Sequence, residues 1–232
     1  MTDYAVASPA QARLTIKNSD QLFPVRRIYC VGKNYVAHVR EMNADERDEP
    51  VIFMKPSDAI VRGGGEIPYP VLSNDFHYEG ELVVALKSGG YNIAEDDAQS
   101  HIFGYAVGLD MTRRDHQLNA IEKGLPWEIT KAFDHSAPVG TLTRVEDVGH
   151  VNDAVLRLSV NGDTRQDANV NLMLWNTKEI IARLSQQHRL MPGDIIMTGT
   201  PAGVGAVQTG DKITLTCDGL EALSISIGGL AA

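Results

Sequence analysis

The stretch Glu79-Gly80-Glu81-Leu82-Val83-Val84-Ala85-Leu86 sets two carboxylates two residues apart at the head of an unbroken apolar run. Such a run reads as a strand. Residues i and i+2 of a strand share a face, so Glu79 and Glu81 aim together, while Gly80 lets another group approach from behind. Two neighbouring carboxylates repel unless a cation or a shared proton lies between them. A second apolar run, Gly104 to Leu109, ends at Asp110. Laid beside the first strand, it brings a third carboxylate to the same place. Three oxygen donors suit a hard divalent ion, Mg²⁺ or Mn²⁺, with positions left for a ligand. The competing reading is a solvated strand face on which Asp110 only begins a turn.

A chain of 232 residues with 43% hydrophobic content can bury one sizeable core. Its net charge of -9 and pI near 5.2 argue against a nucleic-acid footprint or an anionic membrane surface, and leave room for a small anion met by local cations or a metal. Cys30 and Cys217 stand far apart inside apolar stretches, match neither a zinc nor a redox spacing, and read as buried free thiols. No basic start with an apolar core marks a signal peptide, and no segment approaches the roughly 20 apolar residues of a membrane span. The expected location is therefore cytoplasmic.

Residues 1–26 read as an arm, loosely structured or strand-like, before the strand Ile28-Tyr29-Cys30-Val31, which Gly32 breaks. From Asn34 to about Met42, the positions of Tyr35, Val36, Val39 and Met42 suit a short amphipathic helix, and the charged stretch from Asn43 to Pro50 has the composition of a lid. Val51 to Lys55 is a further strand. Leu156 to Val160 alternates cleanly into Asn161-Gly162, a strong hairpin signal. The only long helical pattern begins near Asn171 or Asn176 and runs to about His188; the strand Ile195-Ile196-Met197 follows. Lys212 to Cys217 turns at Asp218-Gly219 and returns as Leu223 to Ile227. These elements predict a β-rich α+β fold with few helices.

Several side chains could serve a metal site. His38 and Glu41 lie three apart on the proposed helix, where a carboxylate can orient an imidazole and raise its basicity, although such a pair also occurs on solvated helix faces. Arg113, Arg114 and Gln117 follow Asp110 closely; one arginine could clamp a carboxylate, and the other could pair with Asp115 on the surface. Lys131 lies in the mostly apolar Ile129-Thr130-Lys131-Ala132-Phe133. It is either buried with anionic partners, where it could stabilise an enolate, or extends along its stem to the surface. The glycine-rich Thr198 to Gly205 lacks the Gly-Lys-Ser/Thr ending of a phosphate loop, but its amides and hydroxyls could hold a carboxylate.

In this order, Gly32-Lys33-Asn34-Tyr35 with His38 and Glu41, Lys55-Pro56, Glu79-Gly80-Glu81, Asp110 with Arg114-Asp115 and Gln117, Lys131, and Thr198 to Gly205 resemble the fumarylacetoacetate hydrolase family over roughly Arg27 to Ile227. Phe23 to Gly32 and Leu125-Pro126-Trp127 look most like its short acylpyruvate-hydrolysing members. The resemblance implies a mixed β-roll for residues 27–232, a homodimer, and Mg²⁺ or Mn²⁺ on Glu79, Glu81 and Asp110. It also implies catalytic roles for His38, Glu41 and Lys131, and substrate contacts from Arg114, Gln117 and Thr200. The implied substrate is a small dicarboxylate or 2,4-dioxo acid. The implied reaction is hydrolysis of a carbon–carbon bond, as in fumarylpyruvate to fumarate and pyruvate during aromatic (gentisate) breakdown. Oxaloacetate decarboxylation and 2-hydroxy-dienedioate isomerisation are the alternatives within the family; a metal-stabilised binding protein is the alternative outside it. Lys33, Arg113 and His116 depart from the family's usual residues and bear on substrate preference.

Overall fold

The computed structural model describes residues 5–35 and 49–231. An eight-stranded sheet runs through the centre in the order Val51–Lys55, Arg27–Gly32, Asp194–Met197, Gly80–Leu86, Ile102–Leu109, Ala137–Val139, Ile60–Arg62, with Thr143–Arg144 pairing off Ile102–Leu109. Asp194–Met197 pairs parallel with Arg27–Gly32 and antiparallel with Gly80–Leu86, so the sheet is mixed. A five-stranded sheet packs on one side, ordered Asp163–Asn169, Val155–Val160, Lys212–Cys217, Leu223–Leu230, Gly65–Tyr69. The fold is the strand-dominated α+β roll expected from the sequence.

Every residue of Gly80–Leu86 is buried, because both faces of that strand are covered. Leu82, Val84 and Leu86 join a core with Leu156, Leu158, Ile213 and Leu215 of the five-stranded sheet. Val83 and Ala85 point the other way, into a second core with Ile28, Cys30, Ile195 and Met197. By the same alternation, Glu81 faces the second side and Gly80 the first.

Within residues 1–26, Arg13–Ile16 and Ser19–Pro24 form an antiparallel pair whose Leu14, Ile16 and Phe23, with the following Val25, pack into the second core. The expected hairpins are present. Val155–Val160 returns as Asp163–Asn169 through Asn161 and Gly162, both at positive φ (53° and 90°), the geometry of a tight two-residue turn. Lys212–Cys217 pairs with Leu223–Leu230. The long helix is Thr177–Gln187: Asn176 caps it, accepting from the backbone N–H groups of Lys178 and Glu179, while the Glu179 side chain accepts from the Asn176 N–H. Cys30 and Cys217 are free and buried, as read.

Besides three single-turn helices, Glu95–Ala98, Glu128–Lys131 and Val145–Val148, one longer helix among the described residues was not anticipated. Arg114–Lys123 forms a ten-residue helix ended by Gly124 in the left-handed region (φ 63°). Its apolar residues Leu118 and Ile121 are exposed, so it carries little of the inward-facing periodicity by which helices are recognised.

Candidate active site

Asp110 meets the two glutamates because the ladder between Gly80–Leu86 and Ile102–Leu109 continues past its ends: Gly80 is opposite Leu109, and the Asp110 N–H donates to the Glu79 carbonyl at 2.8 Å. One carboxylate oxygen from each of Glu79, Glu81 and Asp110 lies within 4.8 Å of the others, and all three residues are buried. Burial, then the negative charges of Asp110 and Glu79, push the Glu81 carboxyl well above its ordinary pKa, against a 2.7 Å hydrogen bond from the Gly199 N–H. The loop reaches that close because Gly199 sits at φ 100°, where a Cβ would stand 2.7 Å from Asn34 Cβ and 2.9 Å from the Val31 carbonyl.

Cationic side chains surround the carboxylates. Lys131 Nζ donates to Glu79 Oε2 at 2.7 Å, Asp110 Oδ2 at 2.9 Å and Thr112 Oγ1 at 2.7 Å. Its burial alone would lower its pKa; the charges of Asp110 and Glu79 outweigh that and raise it, keeping the ammonium protonated. Of the two settings open to Lys131 from sequence, the buried one is found. Lys55 Nζ lies 2.8 Å from Asp110 Oδ1 and donates to the carbonyls of Met111 (3.2 Å) and Lys131. Despite that proximity, Asp110 Oδ1 accepts no aligned hydrogen bond, leaving a buried carboxylate oxygen with unused acceptor capacity. Arg114 donates to Glu79 Oε1 at 2.5 Å and to the Gln117 Oε1 one turn along its helix. Arginine is donor-only, so it turns the Gln117 oxygen toward itself and leaves the amide NH₂ as the donor on the other side.

Glu79, Glu81, Asp110, Arg114, Gln117, Lys131 and Thr200 all line one cavity, with Phe53 and Trp127 on its apolar wall. His38 and Glu41, the proposed helix beyond Tyr35 and most of the lid stretch lie outside the described residues; Asn34 and Tyr35, its first two positions, are not helical, with Tyr35 bridging to Met173. Arg113 turns away and stacks 4.4 Å over the Phe133 ring; Asp115 binds Ser73 and the Asn74 and His116 N–H groups instead of pairing with it.

Besides Phe53 in the cavity wall, four polar positions escaped the sequence reading as parts of the site. Lys55, quoted only within a motif, ties three segments together. Thr112 accepts from Lys131. Asn34 is buried and donates to the carbonyls of Thr198 (2.7 Å) and Trp175 (3.0 Å), anchoring the glycine loop. Gln166 reaches in from the five-stranded sheet to Gly80 and Thr200.

The fumarylacetoacetate (FAA) hydrolase C-terminal family model matches residues 27–227, and the chain belongs to that family. It is 42% identical to a fumarylpyruvate hydrolase of Ralstonia sp over 181 residues, covering 78% of this chain and 94% of the relative. It is 39% identical to the mitochondrial oxaloacetate tautomerase of Rattus norvegicus over 202 residues, 87% of this chain and 91% of that one. Among solved structures, the fumarylpyruvate hydrolase from Pseudomonas aeruginosa in complex with Mn²⁺ and pyruvate superimposes with a TM-score of 0.96 at 47% identity, over 99% of this chain and all of that one.

Proposed function

We propose that the protein is a Mg²⁺- or Mn²⁺-dependent hydrolase that cleaves a carbon–carbon bond in 2,4-dioxo acids, with fumarylpyruvate as the preferred substrate. The buried Glu79, Glu81 and Asp110 group carries this reading. The donor set fits a hard divalent cation: all oxygen, Asp110 Oδ1 with unused acceptor capacity, and Glu81 pushed toward protonation when no metal neutralises its neighbours. Three carboxylates face the cations Lys131, Lys55 and Arg114. Adding a divalent ion leaves an excess positive charge that a dianionic substrate neutralises. When bound, such an ion supplies Lewis acidity to the oxygens of the dioxo acid.

The remaining roles belong to this chain's own residues. Arg114 and the Gln117 NH₂ orient a substrate carboxylate, and Phe53 and Trp127 cover the carbon chain. His38, oriented by Glu41, takes the proton from the water that attacks the C4 carbonyl. Breaking the C3–C4 bond passes its electron pair to the pyruvate fragment, whose enolate charge is met by the Lys131 ammonium. Protonation at C3 releases pyruvate, and the acyl side leaves as its carboxylic acid, fumarate in the case of fumarylpyruvate.

Replacing His38 with alanine should lower acylpyruvate hydrolysis by about 10² to 10⁴ while changing binding little. An unchanged hydrolysis rate would refute the base assignment. Similarity to an oxaloacetate tautomerase favours a second reading, keto–enol isomerisation or decarboxylation of oxaloacetate, in which the same enolate forms without an attacking water. A turnover screen with fumarylpyruvate, acetylpyruvate and oxaloacetate, each with Mg²⁺ and Mn²⁺, separates the two. The same proposal places the enzyme in the cytoplasm as a homodimer; analytical ultracentrifugation tests the assembly.

A further inference from the structure

His77 lies in the strand Phe76–Tyr78, two residues before Glu79. Phe76 and Tyr78 pack into the core, and by alternation His77 takes the face that Glu79 turns toward Arg114. This strand pairs with Thr112–Arg113, Thr112 opposite His77, and the Arg114 N–H donates to the Asp75 carbonyl at 2.8 Å, so the start of helix Arg114–Lys123 is carried beside the imidazole. His77 Nε2 lies 2.8 Å from Asp75 Oδ1, and the Arg114 Nε–H donates to His77 Nδ1 over a long 3.4 Å. A guanidinium nitrogen only donates and an ionised carboxylate only accepts, so Nδ1 is a bare lone pair and the ring proton is on Nε2. At the far end of the same guanidinium, Nη2 donates to Glu79 Oε1 and Nη1 to Gln117 Oε1. Three of the five N–H groups are thereby committed. Two remain, one on each terminal nitrogen, for the cavity that Arg114 lines. Of the three holders of Arg114, His77 is the one outside both the carboxylate group and the ligand-facing helix. A guanidinium gripped only at its terminal nitrogens still pivots on its long stem, whereas a third contact at Nε fixes its plane.

We propose that His77, fixed by Asp75 as the neutral Nε2–H tautomer, is a positioning residue that holds Arg114 by its Nε–H and so keeps the two uncommitted N–H groups turned toward a ligand carboxylate. The inference deepens the acylpyruvate reading above and rests on it for the identity of that carboxylate. The other tautomer would set an N–H against the Arg114 Nε–H and push the guanidinium away.

Nitrogen NMR of isotope-labelled protein at neutral pH reads the tautomer directly, the His77 signals being identified by their loss in His77→Asn. Nε2 should carry the proton and Nδ1 should be bare; the opposite tautomer, or a proton on both nitrogens, overturns the inference. Isothermal titration calorimetry on the Mg²⁺-loaded protein reads the consequence. The probe is 2-oxoglutarate, a 2-oxo acid with a second carboxylate and no C4 carbonyl to attack, so it binds without being cleaved. His77→Leu should weaken its binding about twofold to tenfold, the value of one hydrogen bond. His77→Asn places its Oδ1 where Nδ1 stands and should recover most of that loss. Should His77→Leu fail to fold, His77→Gln reaches where Nε2 stands and can still bond Asp75, yet leaves Arg114 without its acceptor, and should give the same loss. The Arg114 Nε–H, identified by its absence in Arg114→Lys, should exchange with solvent faster in His77→Leu and His77→Gln than in the wild type or His77→Asn. A loss in His77→Asn as large as in His77→Leu, or no loss in either His77→Leu or His77→Gln, overturns the inference, as does a wild type that does not bind 2-oxoglutarate. If the wild type binds it but hydrolyses no acylpyruvate, the acylpyruvate reading falls, while the tautomer and the binding series still decide the role of His77.

Discussion

At the head of strand Gly80–Leu86, Glu79 and Glu81 are held by charge-assisted contacts from Arg114, Lys131 and the Gly199 amide; from Leu82 onward the same strand is held by apolar packing on both faces. The backbone ladder does not change between the two regions. What changes is the direction of stability. Packing makes Leu82 to Leu86 more stable the more completely they are buried, whereas burial of three carboxylates costs solvation that only cations return. The charged end is thus a place where the fold is held under tension for the sake of its ligand, and the apolar end supplies the rigidity that keeps it there.

The largest effect that can break this comparison is at the metal. Glu81→Gln, or chelation of the wild type, should abolish turnover, and in metal-free protein the variant should melt at or above the wild-type temperature, because it removes a buried negative charge from between two others. Calorimetry with chelator present checks this; a clear fall in melting temperature would show that the charged end stabilises the fold after all. The apolar end should respond in the opposite way. Leu86→Ala, in the same strand but away from the carboxylates, should cost about 2–5 kcal/mol in denaturant unfolding. Metal affinity and turnover per folded molecule should stay within about twofold.

A graded effect of pH sharpens the contrast. In metal-free protein, the raised folded-state pKa of Glu81 means that its contribution is fully present below the ordinary glutamate value of 4.5 and is lost as pH rises through the raised value. The melting temperature of chelated protein should therefore decline from pH 4.5 upward more than that of Mg²⁺-saturated protein, and parallel curves would refute the assignment. The smallest effect is a control remote from both regions. Asn176→Ala removes the cap of helix Thr177–Gln187 and should cost about 1 kcal/mol without altering metal binding.

The parts of this site that could be read from sequence are those set by local periodicity. Glu79 and Glu81 announce themselves by strand alternation beside an apolar run and Asp110 by ending a second run, whereas Arg114 and Gln117 were noticed only for following Asp110 closely and matching the family's motif. Gln166 could not be read in this way. It looks like one more polar residue in Asp163-Thr164-Arg165-Gln166-Asp167, and its role depends on Gly80, far away in sequence and adjacent only once two sheets pack. The one usable signal was Gly80 itself, whose missing side chain foretold an approach from behind without naming the visitor. Lys55 and Asn34 were opaque for the same reason: each bonds to carbonyls of distant segments, and backbone acceptors leave no mark in a sequence. The helix Arg114–Lys123 was missed because Leu118 and Ile121 face outward, removing the apolar stripe that marks a helix.

The strand Asp194–Met197 lies between Arg27–Gly32 and Gly80–Leu86, although the ribosome makes it long after both. Each earlier strand has one neighbour close to it in sequence, Val51–Lys55 for the first and Ile102–Leu109 for the second, while its other edge pairs with Asp194–Met197. Those two apolar edges are the ones most ready to pair with another nascent chain. Closure must await the last fifth of synthesis, and the segment that closes the sheet runs directly into Thr198, Gly199 and Thr200. A chain that stops before Asp194 therefore lacks both the strand that closes the sheet and the Gly199 and Thr200 that complete the cavity, although it already carries Glu79, Glu81 and Asp110.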